Sequence, residues 1–413
     1  MIIGDTRMQV MYERCCGVDV HKRSLVACLR VGKKQEIRQY GTTSQDLRDF
    51  TKWLAENDCQ IVAMESTGSY WKPVYNCLEL LGLEIMVVNA QHMKTVPGRK
   101  TDVKDSEWIA DLLMHGLLKG SYIPDREQRE LREITRYRKS LVEERSREKN
   151  RLEKILEGAN IKLSSVVSDL AGGVTSRHLL TALIGKGVDN DNIDDMLYGR
   201  LKDKREELLA ACDGFLTKTQ KYLVSNILSH IDDMTRRIDG MDDFIDTKMD
   251  EYDDAIKELD EIPGIGAESA KIILAEIGLD MSRFPSAAHL ASWAGLSPGN
   301  NESAGKRKSG RTTKGNKTLK TTMIQCAQAA KRVKNSFYKA QFERLAPRRG
   351  NHRATVAVAH SMLISIYHML KNHTSFFDLG AEYYHQFDRE RKVEYLLKRA
   401  ESLGWRRPTL VTT

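Results

Sequence analysis

The first 118 residues carry an order of short apolar runs and amphipathic segments that few folds can accommodate. Residues 14 to 20, 24 to 31 and 34 to 40 read as three strands in sequence, the first two apolar-rich, with Gly32 and Lys33 turning the chain between the second and third. A helix capped by Thr43 or Ser44 runs through Trp53 and Leu54, and Cys59 to Ser66 has the composition of a buried strand. A helix from Ser69 or Tyr70 to Leu81 ends at Gly82. Leu83 to Asn89 is another apolar strand, and Asp102 to Leu118 is a helix with Val103, Ile109, Leu112, Leu113 and Leu117 on its inner side.

This order matches an RNase H-like α/β fold with acids on its first strand, fourth strand and last helix. Asp19 interrupts the run Val18, Val20, Leu25, Val26. Glu65 ends the run Ile61 to Met64. A carboxylate at the tip of a buried strand is costly unless it is paired or binds a metal. Asp102 and Asp105 are three residues apart at a helix start and face the same way. Mg²⁺ takes oxygen ligands and keeps several waters, so few carboxylates per ion suffice. Two such ions can clamp the attacking and leaving oxygens of a phosphodiester. Taken one at a time, each acid has a plainer reading: Asp19 paired with Lys22, Glu65 accepting backbone hydrogen bonds, Asp102 favoured by the helix dipole, Asp105 a solvated neighbour.

The 413-residue length implies two or three domains. No apolar stretch is long enough for a membrane span, and the N-terminus lacks a signal-peptide pattern, so a cytoplasmic protein is expected. The seven cysteines are scattered and never spaced C-x-x-C, which argues for reduced thiols and against a zinc site. The net charge of +8 is unevenly spread: residues 303 to 353 hold fifteen Lys or Arg against one acid, Glu343. Such a concentration is the usual footprint of a phosphate-backbone partner.

Four regions are expected: a catalytic domain at 14–124, a coiled-coil and oligomerisation region at 125–260, a helical C-terminal domain at 261–375, and a tail at 376–413. Within the second, Leu131, Ile134, Leu141, Leu152 and Ile155 draw a thin apolar line along one charged helix, and residues 158 to 215 are less regular. Leu223, Ile227, Ile231, Met234, Ile238, Met241, Ile245, Met249, Tyr252, Ile256 and Leu259 then alternate at spacings of mostly three and four, the sign of a coiled-coil seam. Its partner is either the 126–157 helix of the same chain or a second copy. Pro263-Gly264-Ile265-Gly266 before a helix resembles the hairpin of helix-hairpin-helix modules. There Gly264 and Gly266 would let the backbone approach a phosphate held by the next helix's N–H groups; a plain interhelical turn is the other reading. The Gly/Ser/Lys segment from Leu296 to Arg311 has almost no apolar content and is expected to be an exposed, mobile loop. With it, Lys306, Arg307, Lys308, Arg311 and Lys314 are candidate nucleic-acid contacts.

Gly-Val-Asp-Val-His-Lys, Glu-Ser-Thr-Gly, Lys-Thr-Asp-x-x-Asp, Pro-Gly-Ile-Gly, and Gly-Leu-x-Pro followed by a Ser/Gly/Lys loop occur here in that order. The set, over roughly residues 14 to 372, resembles the DEDD-type transposases of bacterial insertion sequences, which act as bridge-RNA-guided DNA recombinases. The resemblance implies a RuvC-like domain in which Asp19, Glu65, Asp102 and Asp105 hold Mg²⁺, a coiled-coil middle and a C-terminal transposase domain. It also implies a loop serine that forms a covalent link to DNA, a site completed between protomers of a dimer or tetramer, and both DNA and a non-coding RNA as partners. The serine that aligns best is Ser303, followed by Ala304 and Gly305; Ser309-Gly310 keeps the family's dipeptide later in the loop. Other readings of the same residues are a RuvC-like endonuclease using water as nucleophile, a binding protein with a dead site, and an actin-like ATPase. The last needs a second phosphate loop that the sequence lacks.

Overall fold

A computed structural model describes residues 10–66, 68–89, 102–299, 301–303 and 306–405; the side chains of 102–104, 301–309, 385–388 and 390–392 lie outside that description. The chain divides into two compact units between Asp125 and Arg126.

The first unit is built on a five-stranded sheet. Strands β1 (Arg14–Val20), β2 (Ser24–Val31) and β3 (Lys34–Gly41) form an antiparallel meander. Strands β4 (Ile61–Glu65) and β5 (Glu84–Val88) add parallel to β1, so the sheet order is β3-β2-β1-β4-β5. Helices α1 (Ser44–Glu56) and α2 (Trp71–Glu79) cover one face, and α3 (Asp102–Met114) covers the other. Thr43, not Ser44, caps α1. Its hydroxyl accepts from the Asp46 amide while the Asp46 carboxylate accepts from the Thr43 amide, a reciprocal capping box.

Period-two alternation sorts the strand residues. Cys16, Val18, Val20, Val62 and Met64 pack under α1 and α2 with Phe50, Trp53 and Leu78. Cys15, Ile61 and Ala63 pack under α3 with Ile109 and Leu113. The five-stranded sheet with helices on both faces is consistent with the RNase H-like arrangement.

The second unit is almost wholly helical. Helices α4 (Arg126–Gly158) and α7 (Lys218–Lys248) lie antiparallel: Arg138 pairs with Asp242, Arg145 with Thr235 and Glu148 with His230, so partners advance along α4 as they retreat along α7. The apolar seam of α7 is therefore covered by α4 of the same chain. Its register corrects the expected one at the start. Val224 and Leu228 are buried, whereas Leu223 is 43% exposed and Ile227 half-buried. From Ile231 onward the expected line holds at Met234, Ile238, Ile245, Met249, Ile256 and Leu259, with a 3-10 turn at Asp250–Tyr252 breaking the helix before α8 (Asp253–Asp260).

Between α4 and α7, residues 159 to 216 fold into α5 (Val174–Ile184), α6 (Arg205–Ala211) and short 3-10 turns around a shared core with Leu152, Leu180, Leu208 and Leu228. Beyond α8 come α9 (Ala267–Ile277), α10 (Ala287–Trp293), a hairpin of β6 (Asn301–Ser303) and β7 (Lys306–Ser309), α11 (Lys317–Ala330), α12 (Phe337–Arg349), α13 (Asn351–Asn372) and α14 (Glu382–Ser402). Among the described residues no helix is long and apolar enough to cross a membrane.

Candidate active site

Two acids of the first unit, Asp19 and Glu65, lie side by side at one end of the sheet. Val18 on β1 pairs with Met64 on β4, so the next positions, Asp19 and Glu65, are neighbours at the C-terminal ends of two parallel strands. Alternation turns both toward the face under α3, with Cys15, Gly17 and Ala63. The Asp19 side chain is only 11% exposed, and Glu65 is half-buried.

Glycine at position 17 lets α3 lie directly on β1. A Cβ there would sit 2.3 Å from the Ala110 nitrogen and 2.4 Å from the Ser106 carbonyl oxygen. The helix runs antiparallel to the strand. Met114, at its C-terminus, accepts from Met11 and Tyr12 just before β1, Cys15 lies against Ala110, and Gly17 against Ser106 and Ala110. The N-terminal turn of α3 thus lies toward the Asp19 end of β1. Asp102 and Asp105 occupy that turn, each one turn ahead of a buried, sheet-facing residue, Ser106 and Ile109. Asp105 is half-buried; the Asp102 side chain lies outside the described residues. Outer-face contacts fix the helix: Arg30 on β2 pairs with Asp111, and Gln35 on β3 donates to Glu107 at 2.7 Å.

His21 was not singled out by sequence reasoning, yet its Nε2 lies 3.1 Å from Asp19 Oδ2. The signal was available, since a residue two positions on shares the strand face. The pairing with Lys22 considered for Asp19 is replaced by this one. The donor set is all carboxylate oxygen, the chemistry a hard divalent cation takes. Among the described residues no group of three or more His, Cys, Asp or Glu is placed to hold a metal. A complete set would need Asp102, whose side chain is outside that search. The chemistry of the donors at this corner suits a hard cation bound largely through water, and Asp19, His21, Glu65 and Asp105 by themselves form no protein cage for one.

In the second unit the Ser/Gly/Lys segment is not an irregular loop. Gly299 N donates to Arg311 O at 2.8 Å, Pro298 bridges Thr312, and β6 and β7 pair with Ser303 opposite Lys306 and Asn301 opposite Ser309. Alternating pairs of backbone hydrogen bonds give this polar stretch a structure that its composition did not advertise. Ser303 is the last residue of β6; its side chain and those of Lys306, Arg307, Lys308 and Ser309 are outside the description. Arg311 and Lys314 are exposed at the hairpin foot. That foot is a close crossing of two glycines: a Cβ on Gly315 would meet the Gly295 nitrogen at 2.4 Å, and Gly295 has φ +72°.

Gly264 (φ +90°) is also needed for packing. Its missing Cβ would fall 2.4 Å from the Ala330 nitrogen and 2.5 Å from the Cys326 carbonyl oxygen of α11. Gly266 is exposed at the N-cap of α9 and leaves the amides of that helix without a side-chain cap.

A buried ion cluster joins α9 to α4 and α11. Glu276 is fully buried; Arg136 grips it bidentately at 2.7 and 2.8 Å, Arg132 lies at 3.5 Å and also under the Trp293 ring, and Asn316 donates at 2.5 Å. Sequence periodicity carried no sign of it, because Arg136 is 140 residues from Glu276 in the chain and Asn316 is 40.

Comparison with known proteins places these features. A DEDD-type model of the IS110 group, described as "Transposase", matches residues 16–161. A second, "Transposase IS116/IS110/IS902 family", matches residues 256–342. A protein named "Putative transposase y4qE" from Sinorhizobium fredii (strain NBRC 101917 / NGR234) is 22% identical over 346 residues, covering 79% of this chain and 74% of that protein. The first match spans the carboxylate corner and the second spans the turn at Gly264 and the hairpin, in the order in which the fold presents them. The chain belongs to the IS110 family of insertion-sequence transposases and is a DNA transposase.

Proposed function

We propose that this transposase cuts and rejoins DNA strands through a covalent serine–DNA link, with Mg²⁺ held by Asp19, Glu65, Asp102 and Asp105, and with a bridge RNA from the same element choosing the target. The observation that carries the reading is that two strand-end acids share the face under α3, at the end of β1 toward which the acid-bearing first turn of that helix lies. Bound there, Mg²⁺ would neutralise charge building on the phosphoryl oxygens and favour the ionised nucleophile.

The chain's own groups do the rest. Ser303 Oγ forms a bond to phosphorus as the bond from phosphorus to the departing strand's oxygen breaks, and that strand end takes up the proton lost by the serine. Attack by a new strand end then reverses the step and frees the serine. The Asp19–His21 pair, with Nε2 3.1 Å from Oδ2, is a route for a proton at this corner. Backbone contacts to the nucleic acid are assigned to Lys306, Arg307, Lys308, Arg311 and Lys314, and a phosphate at the α9 N-terminus to Gly266, with Gly264 shaping the turn. In functional terms 14–124 is the catalytic region, 125–260 the helical region that supports a dimer or tetramer, 261–375 the transposase region with the serine, and 376–413 a tail without an assigned role.

The test is covalent trapping. Protein, Mg²⁺, the element's RNA and labelled donor DNA are mixed, denatured and separated, with Ser303→Ala and Ser309→Ala alongside. An adduct lost only in Ser303→Ala is expected. DNA cut with no adduct, equally by both variants, would instead indicate a hydrolytic RuvC-like nuclease.

A further inference from the structure

The second unit holds a cavity that the strand chemistry does not use. It lies at the foot of the β6–β7 hairpin, against α12 and α13, and has a volume of about 930 Å³. Its rim carries the exposed cations Arg311 and Arg353, with His352 beside them. His352 and Arg353 sit on the first turn of α13, a 22-residue helix with no side-chain cap, so the positive end of its dipole lies near the cations. The interior is apolar at Leu296, Val356 and Ala357. Its polar groups include Thr312, Gln341, His360 and Ser361. Gln341 Nε2 donates to Ser361 Oγ at 2.8 Å, which leaves Gln341 Oε1 buried without a partner among the described residues. No Asp or Glu is among the lining residues.

An anion-selecting rim, an apolar slot and a hydrogen-bonding Gln341–Ser361 pair match the three parts of a nucleotide: phosphate, base face and base edge. A lone phosphate would leave the slot empty, and the volume falls in the range of small-ligand sites. We propose that this cavity takes one nucleotide extruded from a nucleic-acid strand that runs along the hairpin, its phosphate on Arg311, Arg353 and the α13 N-terminus, and its base against Val356 and Ala357 with its edge toward Gln341 and Ser361. The proposal rests on the reading of the hairpin as a nucleic-acid contact. Extrusion costs a few kcal/mol in a duplex and least in a strand already single, so an unpaired segment is the natural donor.

Short single-stranded DNA and RNA oligonucleotides with 2-aminopurine moved along the sequence provide the test on the full-length protein. End-label anisotropy reports strand binding; 2-aminopurine fluorescence reports a base leaving its stack. Brightening at a bound position is expected, in the DNA arm or the RNA arm according to which strand is the source. Ala357→Phe fills the slot and should abolish the brightening while anisotropy still shows binding. Arg353→Ala should lower the slope of log affinity against log salt by about 0.7. Should Ala357→Phe fail to fold, Gln341→Met, of similar volume, carries the same test. Binding with every position dark, or equal brightening in Ala357→Phe, would overturn the cavity proposal and leave the hairpin reading standing. No binding of either strand would overturn both.

Discussion

Gly17→Ala perturbs the corner without removing any acid. The added Cβ would lie 2.3 Å from Ala110 N, 2.4 Å from Ser106 O and 2.9 Å from Ala110 Cα. All three are backbone atoms of α3, so no side chain can swing aside. Carbon contacts relax at about 3.5–4.0 Å, so the helix must retreat by roughly 1 Å. Overpacking of this kind costs about 1–3 kcal/mol, which for a unit of this size is a fall of roughly 5–15 °C in its melting temperature. The same retreat carries the Asp102–Asp105 turn away from Asp19 and Glu65. A 1 Å misplacement at a reacting centre costs on the order of 100-fold in rate. Scanning calorimetry and a strand-cleavage assay read the two effects, with Gly32→Ala as control. Gly32, unlike Gly17, has positive φ (+56°), and nothing lies within 4 Å of its missing Cβ. The control should therefore show only backbone strain of about 1 kcal/mol and near-normal cleavage. Equal cleavage by Gly17→Ala and wild type would show that the α3–β1 contact does not set the site.

Two further outcomes follow from burial. Glu276→Gln leaves Arg132 and Arg136 without their charge partner, and should destabilise the second unit by about 3 kcal/mol in urea unfolding; no change in midpoint would mean that the cluster is not held by charge. Burial pushes the thiols of Cys15 and Cys28 up to about 11 and those of Cys59 and Cys212 up to about 12. The folded protein keeps these protons where the unfolded chain releases them. Stability from them is thus complete below pH 9 and falls as pH rises from 9 toward 11 and 12, by about 1.4 kcal/mol per pH unit for each thiol. Denaturant midpoints that stay flat over that range in the wild type, or fall no less steeply in Cys59→Ala, would contradict this assignment.

Legibility followed the range of the forces involved. The strands and helices of the first unit were readable because each is fixed by local pattern, turn and cap. Gly32 makes the hairpin, Thr43 caps α1, and Gly82 closes the turn after α2. The strand-end positions of Asp19 and Glu65 were readable because each charge interrupts or ends an apolar run. The α7 register was ambiguous at its start, where Leu223-Val224 and Ile227-Leu228 are adjacent apolar pairs; packing against the α5–α6 region selects Val224 and Leu228. The hairpin of β6 and β7 was hidden because backbone hydrogen bonds, not apolar alternation, hold it. Glu276, the cavity beside Arg353 and the contact of Gly264 with α11 depend on residues distant in sequence, and no periodicity reports those.

In the function proposed above, Asp19, Glu65 and the first turn of α3 act as one cation-dependent strand-cleaving site. The most direct measurement is DNA strand cleavage against Mg²⁺ concentration for wild type, Asp19→Asn, Glu65→Gln and Asp105→Asn, with DNA and RNA binding followed in parallel. Each substitution should lower cleavage by at least about 100-fold at saturating Mg²⁺ while nucleic-acid binding persists. Cleavage that survives in Asp19→Asn with an unchanged Mg²⁺ dependence would contradict the account.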